Sequence, residues 1–202
     1  MECLLPAAFV DVSTFRQVPD HQEVFVNRDA ETSFVVELLS LEPGLPEGQS
    51  ARHFFDDLAQ ANEAPSSQCE YCEDLSARII PNLAAFPKSA LVGRQTVSKH
   101  RGGPLHDVRI FLVNVRLPRA ETDLLISVNV PCEDGGPVSM APANCEAFVE
   151  NTPVVLGAED GATMEGAQGS GAPARGVEEW DVRDFLPETL RSFNILDWSL
   201  FC

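Results

Sequence analysis

Cys69 and Cys72 form a C-x-x-C pair, the spacing that supplies half of a zinc site or a redox couple. A zinc site needs two more ligands, and Cys132 with Cys145, or His53, would have to converge from distant segments. Residues 64–74 around the pair are polar and read as a loop, so two incidental exposed thiols are the plainer expectation, and no metal or other cofactor is assigned. The four histidines, His21, His53, His100 and His106, stand in unrelated contexts without the spacing of a metal set or a catalytic triad. The adjacent acids Asp56-Asp57 and Glu159-Asp160 suggest a carboxylate dyad, but one pair falls on a helical pattern and the other in a Gly-rich stretch. Solvated acidic faces are the expectation for both. No G-x-S-x-G, P-loop or dinucleotide fingerprint occurs, and Gly102-Gly103-Pro104 reads as a turn. The chain shows no nucleotide-binding apparatus of its own.

The charge balance narrows what it binds. The chain of 202 residues carries 31 acids against 14 bases, a formal charge of -17. Such a surface repels phosphate backbones and anionic lipid, which sets nucleic acid and membranes aside as partners, and attracts basic protein surfaces over about 8 Å at physiological salt. The apolar runs at 110–113 and 124–126 are far shorter than the roughly 20 residues of a membrane-crossing helix. An acid at Glu2, where a signal peptide carries a base, and six dispersed cysteines point to an intracellular protein with free thiols.

The elements that must position any site read mainly as strands. Segments 23–27 (EVFVN), 33–41 (SFVVELLSL), 107–116 (DVRIFLVNVR) and 122–130 (TDLLISVNV) are rich in β-branched residues and alternate over part of their length. The last two flank residues 117–121 and predict a hairpin with a five-residue loop; 90–99 adds a neighbouring strand. Residues 50–61 (SARHFFDDLAQA) predict a short amphipathic helix with Ser50 as N-cap. Val182, Phe185, Leu186 and Leu190 share a face of a C-terminal helix that is expected to begin near Pro187 or kink there. Residues 194–201 are too apolar for a free tail and are expected to fold back onto the core. One domain over residues 1–202 is the expectation at this size. Within it, 132–179 reads as an acidic, Gly/Pro-rich flexible insert, with nine acids against one base and eight of the thirteen glycines. Residues 145–156 read as a short ordered piece inside it.

Residues 9–27, FVDVSTFRQVPDHQEVFVN, do not fit a generic pattern. They carry a D-x-S-x-x-R-x-V-P-D-x-Q-E-V block that resembles the signature of the Ran guanine nucleotide release factor family, the Mog-type nuclear import factors. Three further blocks follow in the family's order: 33–41 resembles its I-V-E/D-L-L strand, 122–131 (TDLLISVNVP) its T-D-L/V-L/V-I-S-x-N-x-P strand, and 193–201 (FNILDWSLF) its closing segment. The middle, 43–99, matches loosely. The family's L-F/Y-G-G-A strand is absent ahead of the first block, where only Cys3-Leu4-Leu5 precedes Pro6, and the acidic insert is longer than the family's loop.

The resemblance implies an α/β (α+β) sandwich, a curved antiparallel β-sheet with helices on its faces, similar to the photosystem PsbP fold. It also implies a monomer of nucleus and cytoplasm that binds the small GTPase Ran, promotes guanine nucleotide release, holds the empty form and supports nuclear import; a second Ran-binding protein stays open as a further partner. Asp11, Asp20, Glu23, Glu31 and Glu37 occupy the matching acidic positions and are the candidate Ran-binding residues. A plainer account of the same residues has Asp11 and Ser13 closing a turn, Pro19-Asp20 forming a β-turn and Arg16 pairing with Glu23. The alternative function is an adaptor or assembly protein that docks basic partners through its acidic surface.

Overall fold

The computed structural model describes residues 1–46, 48–98, 103–132 and 182–201. The expected insert beyond Cys132, including the piece at 145–156, lies outside the described residues. Seven strands make one antiparallel sheet: β1 (Phe9–Asp11), β2 (Gln22–Asn27), β3 (Ser33–Ser40), β4 (Ser66–Asp74), β5 (Lys88–Ser98), β6 (Leu105–Leu117) and β7 (Thr122–Pro131). Their spatial order is β1-β2-β3-β7-β6-β5-β4, so two meanders meet where β3 pairs with β7.

Among the described residues, each face carries one helix. Helix α1 (Ser50–Ala61) packs over β4, β5 and β6, with Ala51, Phe54 and Phe55 buried against Leu91, Ile110, Leu112 and Leu125. Helix α2 (Val182–Ser192) covers the other face, where Val182, Phe185, Leu186 and Leu190 meet Phe34, Val36, Phe111, Val113, Leu124 and Ile126. Alternate residues of β6 serve the two cores, Ile110 and Leu112 toward α1, Phe111 and Val113 toward α2. Cover on both faces is why this strand reads as a continuous apolar run. At Gly93 of β5 the α1 contact is so close that a Cβ would lie 2.5 Å from Phe55 Cζ.

Several expectations change in detail. Residues 64–74 are not a loop: β4 pairs along β5, with a register irregularity between Cys69 and Tyr71 that breaks the alternation a strand is recognised by. Leu117 and Thr122 stay paired, so the β6–β7 connection is four residues and not the expected five, closed by a 3-10 turn (Pro118–Ala120) and a left-handed Glu121. Ser50 does not cap α1 from the N-cap position. It is the first helical residue, its hydroxyl buried against the Ser89 hydroxyl at 2.8 Å, and Ser89 Oγ accepts the Ala51 N–H at 3.0 Å. Helix α2 starts upstream of Pro187 and carries it inside. An interior proline costs about 3 kcal/mol, and burial of Val182, Phe185 and Leu186, roughly 1.5–3 kcal/mol each, outweighs it. The N-terminal residues run beside α2: Glu2 and Asn194 exchange backbone hydrogen bonds at 3.0 and 2.9 Å, and Thr189 Oγ1 donates to the Leu4 carbonyl at 2.7 Å. Of the closing segment, Phe193 and Ile195 join the core and Trp198 stacks on Phe86, while Leu196 stays exposed.

A buried ionic knot ties the two meanders to the loop between β3 and α1. Asp123, fully buried on β7, accepts from Arg116 Nε at 3.0 Å, from Asn114 Nδ2 at 3.3 Å and from the Glu42 N–H at 2.8 Å. Arg116 donates onward to the carbonyls of Glu42 and Leu45. Asp123→Ala leaves that guanidinium without its counter-charge and is expected to lower unfolding free energy by about 3–5 kcal/mol. Gly93→Ala, which drives a methyl into Phe55 and the Gln68 carbonyl, is expected to cost about 1–3 kcal/mol. Urea unfolding midpoints check both.

Candidate functional site

The first block folds as β1, a 3-10 turn (Val12–Thr14), a loop and β2. Asp11 closes the turn: its Oδ1 accepts the Ser13 N–H and its Oδ2 the Ser13 hydroxyl, both at 2.7 Å, while Thr14 Oγ1 donates to the Asp11 carbonyl. The Gln22 N–H donates to the Pro19 carbonyl at 2.9 Å, a β-turn that sets exposed Asp20 at the entry to β2. Arg16 and Glu23 do not pair among the described residues; both are exposed. The turn readings for Asp11 and for Pro19-Asp20 thus hold, and the internal ion pair does not.

Register distributes the remaining acids. Gln22 lies directly opposite Glu37, and Glu23 opposite Val36. Because successive side chains of a strand point to opposite faces, Glu37 falls on the α1 side, beside Leu125 of β7, and Glu23 on the α2 side. Glu23 there borders a cavity of about 540 Å³ lined by Cys3, Phe9, Phe25, Phe34 and Phe193. Glu31 sits exposed in the β2–β3 turn, at the opposite end of the ladder. At about 3.3 Å per residue, it is roughly 20 Å along the chain direction from Glu37. The structure therefore brings Asp20, Glu23 and Glu37 to one end of β2–β3, commits Asp11 to a turn beside them, and leaves Glu31 apart.

Glu37 has the most built surroundings. Gln22 Nε2 donates to its Oε1 at 2.7 Å, and His21 Nε2 stands 3.4 Å from the same oxygen. By residue type His21 reads only as one of four unrelated histidines and Gln22 only as a letter of the block. The signal was positional, an amide and an imidazole in a turn-strand segment that pairs with a carboxylate strand.

The C-x-x-C pair lies on β4, with both thiols half-buried beneath α1 and not exposed as expected. Cys72 Sγ donates to the Gly48 carbonyl at 3.8 Å. Burial, reinforced by the charge of Cys69, pushes the Cys72 thiol up to about 11, which is the wrong direction for a redox nucleophile. Among the described residues, no group of three or more His, Cys, Asp and Glu side chains is placed to hold a metal ion. A second cavity, about 570 Å³, opens between residues 41–50 and 74–88. Its cations are already engaged: Lys88 Nζ donates to the Phe86 carbonyl at 2.9 Å, and Arg116 belongs to the Asp123 knot.

The family model described as Ran-interacting Mog1 protein matches residues 1–131, all seven strands and α1. The chain belongs to the Mog1 family. The human protein named Ran guanine nucleotide release factor is 34% identical over 148 residues, 69% of this chain and 78% of its own length. The nuclear import protein MOG1 of Saccharomyces cerevisiae is 30% identical over 215 residues, 98% of this chain and 79% of its own. A solved structure of a glutamate-to-alanine mutant of Mog1 superposes with a TM-score of 0.60 over 99% of this chain and 93% of that one, at 20% identity. The Mog1 fold is thus present here with a helix on each face of the sheet, as the resemblance implied.

Burial raises Cys3 as well as Cys72 to about 11, from an ordinary value of 9.0. At pH 8 the native thiolate population is therefore roughly a hundredth of that in the unfolded chain, offset in part by higher intrinsic nucleophilicity. Site-resolved mass spectrometry after iodoacetamide treatment is expected to show both cysteines alkylated about tenfold more slowly in native than in urea-unfolded protein. The native rate is expected to climb as pH rises toward 11.

Proposed function

We propose that this chain binds Ran, promotes release of its guanine nucleotide, favours the nucleotide-free form and so supports nuclear protein import. The observation that carries the reading is the family match over 1–131, which spans the sheet bearing Asp20, Glu23 and Glu37. The action needs no covalent chemistry. If factor and nucleotide oppose each other on one GTPase, the coupling is reciprocal, and preference for empty Ran necessarily weakens nucleotide affinity. A coupling of about 4 kcal/mol corresponds to roughly a thousandfold.

The same end of β2–β3 suits that role electrostatically. A nucleotide site that has lost its phosphates exposes basic groups, and a carboxylate is the protein's nearest chemical substitute for a phosphate oxygen. Glu37 has its Oε1 held by Gln22 and, among the described residues, no further partner at Oε2. The formal charge of -17 speeds encounter with a basic surface. A monomer that acts in nucleus and cytoplasm is the corresponding physical picture, and the acidic insert is dispensable for the contact.

Release of a fluorescent guanine nucleotide from Ran, with and without this protein, tests partner and activity together. Acceleration is expected; no acceleration and no association at low ionic strength would overturn the reading. Glu37→Lys and Glu23→Lys are each expected to weaken Ran binding, Glu37→Lys by about 30-fold or more, with melting temperatures unchanged. Deleting 157–176 is expected to leave Ran binding intact, whereas loss of binding would favour the adaptor.

A further inference from the structure

We propose that Gln22, assisted by His21, is a positioning residue that fixes the Glu37 carboxylate in its Ran-contacting rotamer, an inference that rests on the reading of Glu37 as a contact residue. The two side chains converge on one oxygen: Gln22 Nε2 donates to Oε1 at 2.7 Å, and His21 Nε2 stands 3.4 Å from the same atom. Oε2 receives neither. Both residues are themselves fixed by backbone, since the Gln22 N–H donates to the Pro19 carbonyl and the His21 carbonyl accepts the Leu38 N–H, both at 2.9 Å. Register supports the aim, because Gln22 and Glu37 are directly opposed Cα partners.

The consequence is an acceptor prepared for a cation. A free glutamate side chain loses rotamer freedom when it is ordered at an interface, whereas this one has lost it on folding. The Glu37 side chain is only 23% exposed, so its carboxylate is presented from a partly buried stem and offers an oriented acceptor to a guanidinium or ammonium of the GTPase. Glu23, by contrast, is exposed and has no such brace.

A double-mutant cycle on the dissociation constant for nucleotide-free Ran tests this. Gln22→Met keeps the length and removes the donor, and it is expected to weaken binding about 3- to 10-fold at unchanged melting temperature. In a Glu37→Ala background the same substitution is expected to change affinity by less than about twofold, because no carboxylate remains to be aimed. His21→Ala is expected to follow the same pattern with a smaller effect, and it supplies the cycle should Gln22→Met unfold. Equal effects of Gln22→Met in both backgrounds, or none in either while Glu37→Ala weakens binding, would overturn the positioning role and leave the contact standing. If Glu37→Ala binds Ran like wild type, the contact itself fails and the positioning role falls with it.

Discussion

The pairing of β3 between β2 and β7 is the constraint on which the rest of this structure depends. Every residue of β3 has a partner on β7, and five have partners on β2. Side chains alternate, so slipping this strand by one position would move Phe34 and Val36 out of the α2 core and bring Glu37 into it. Apolar burial therefore sets the register, and the register sets which face carries the carboxylate. The exit of β3 is held as firmly, since the Leu41 N–H donates to the Glu121 carbonyl at 2.8 Å and the next residue donates to buried Asp123. A hydrophobic requirement and a buried charge thus place this acid.

Charge is organised in the same inward-outward manner. Arg109 is buried over the Phe111 ring and pairs with Glu70 at 2.7 Å. Arg116 pairs with Asp123, and Lys88 is satisfied by backbone carbonyls, its pKa lowered by burial. Two of these bases are withdrawn together with a partner acid, so only Lys88 takes a positive charge from the surface without taking a negative one with it. Exposed pairs such as Arg52–Asp56 on α1 offset a little more of the acidity, but each is worth under about 1 kcal/mol. The field that remains is suited to steering toward a basic surface.

The two faces of the sheet divide the labour. Helix α1 lies over β4–β6, away from β1 and β2, so the α1-side surface beside Gln22 and Glu37 is not under the helix. On the other face, α2 and the N-terminal residues pack close to β1–β3, with Phe9 and Phe185 rings 5.2 Å apart. Glu23 looks onto that more crowded side. A partner that touches both Glu23 and Glu37 has to reach around the end of β2, where β1 no longer flanks it because β1 pairs only from Phe25 to Asn27.

Strands β2, β3, β5, β6 and β7 and both helices were legible in the sequence because their apolar residues recur at the period of the element and are buried on a defined face. Strand β4 was not, since an edge strand with a register irregularity has neither a clean period nor an apolar signature. The block at 9–27 identified the family through residue order alone. What the sequence could not decide was which acids stand together. Asp11, Asp20, Glu23, Glu31 and Glu37 look equivalent as carboxylates along a chain, and only strand register puts Glu23 and Glu37 on opposite faces, sends Glu31 to the far end and sets Gln22 against Glu37. Composition and pattern are local or summed properties, whereas adjacency across a sheet is fixed by pairing between residues fifteen positions apart.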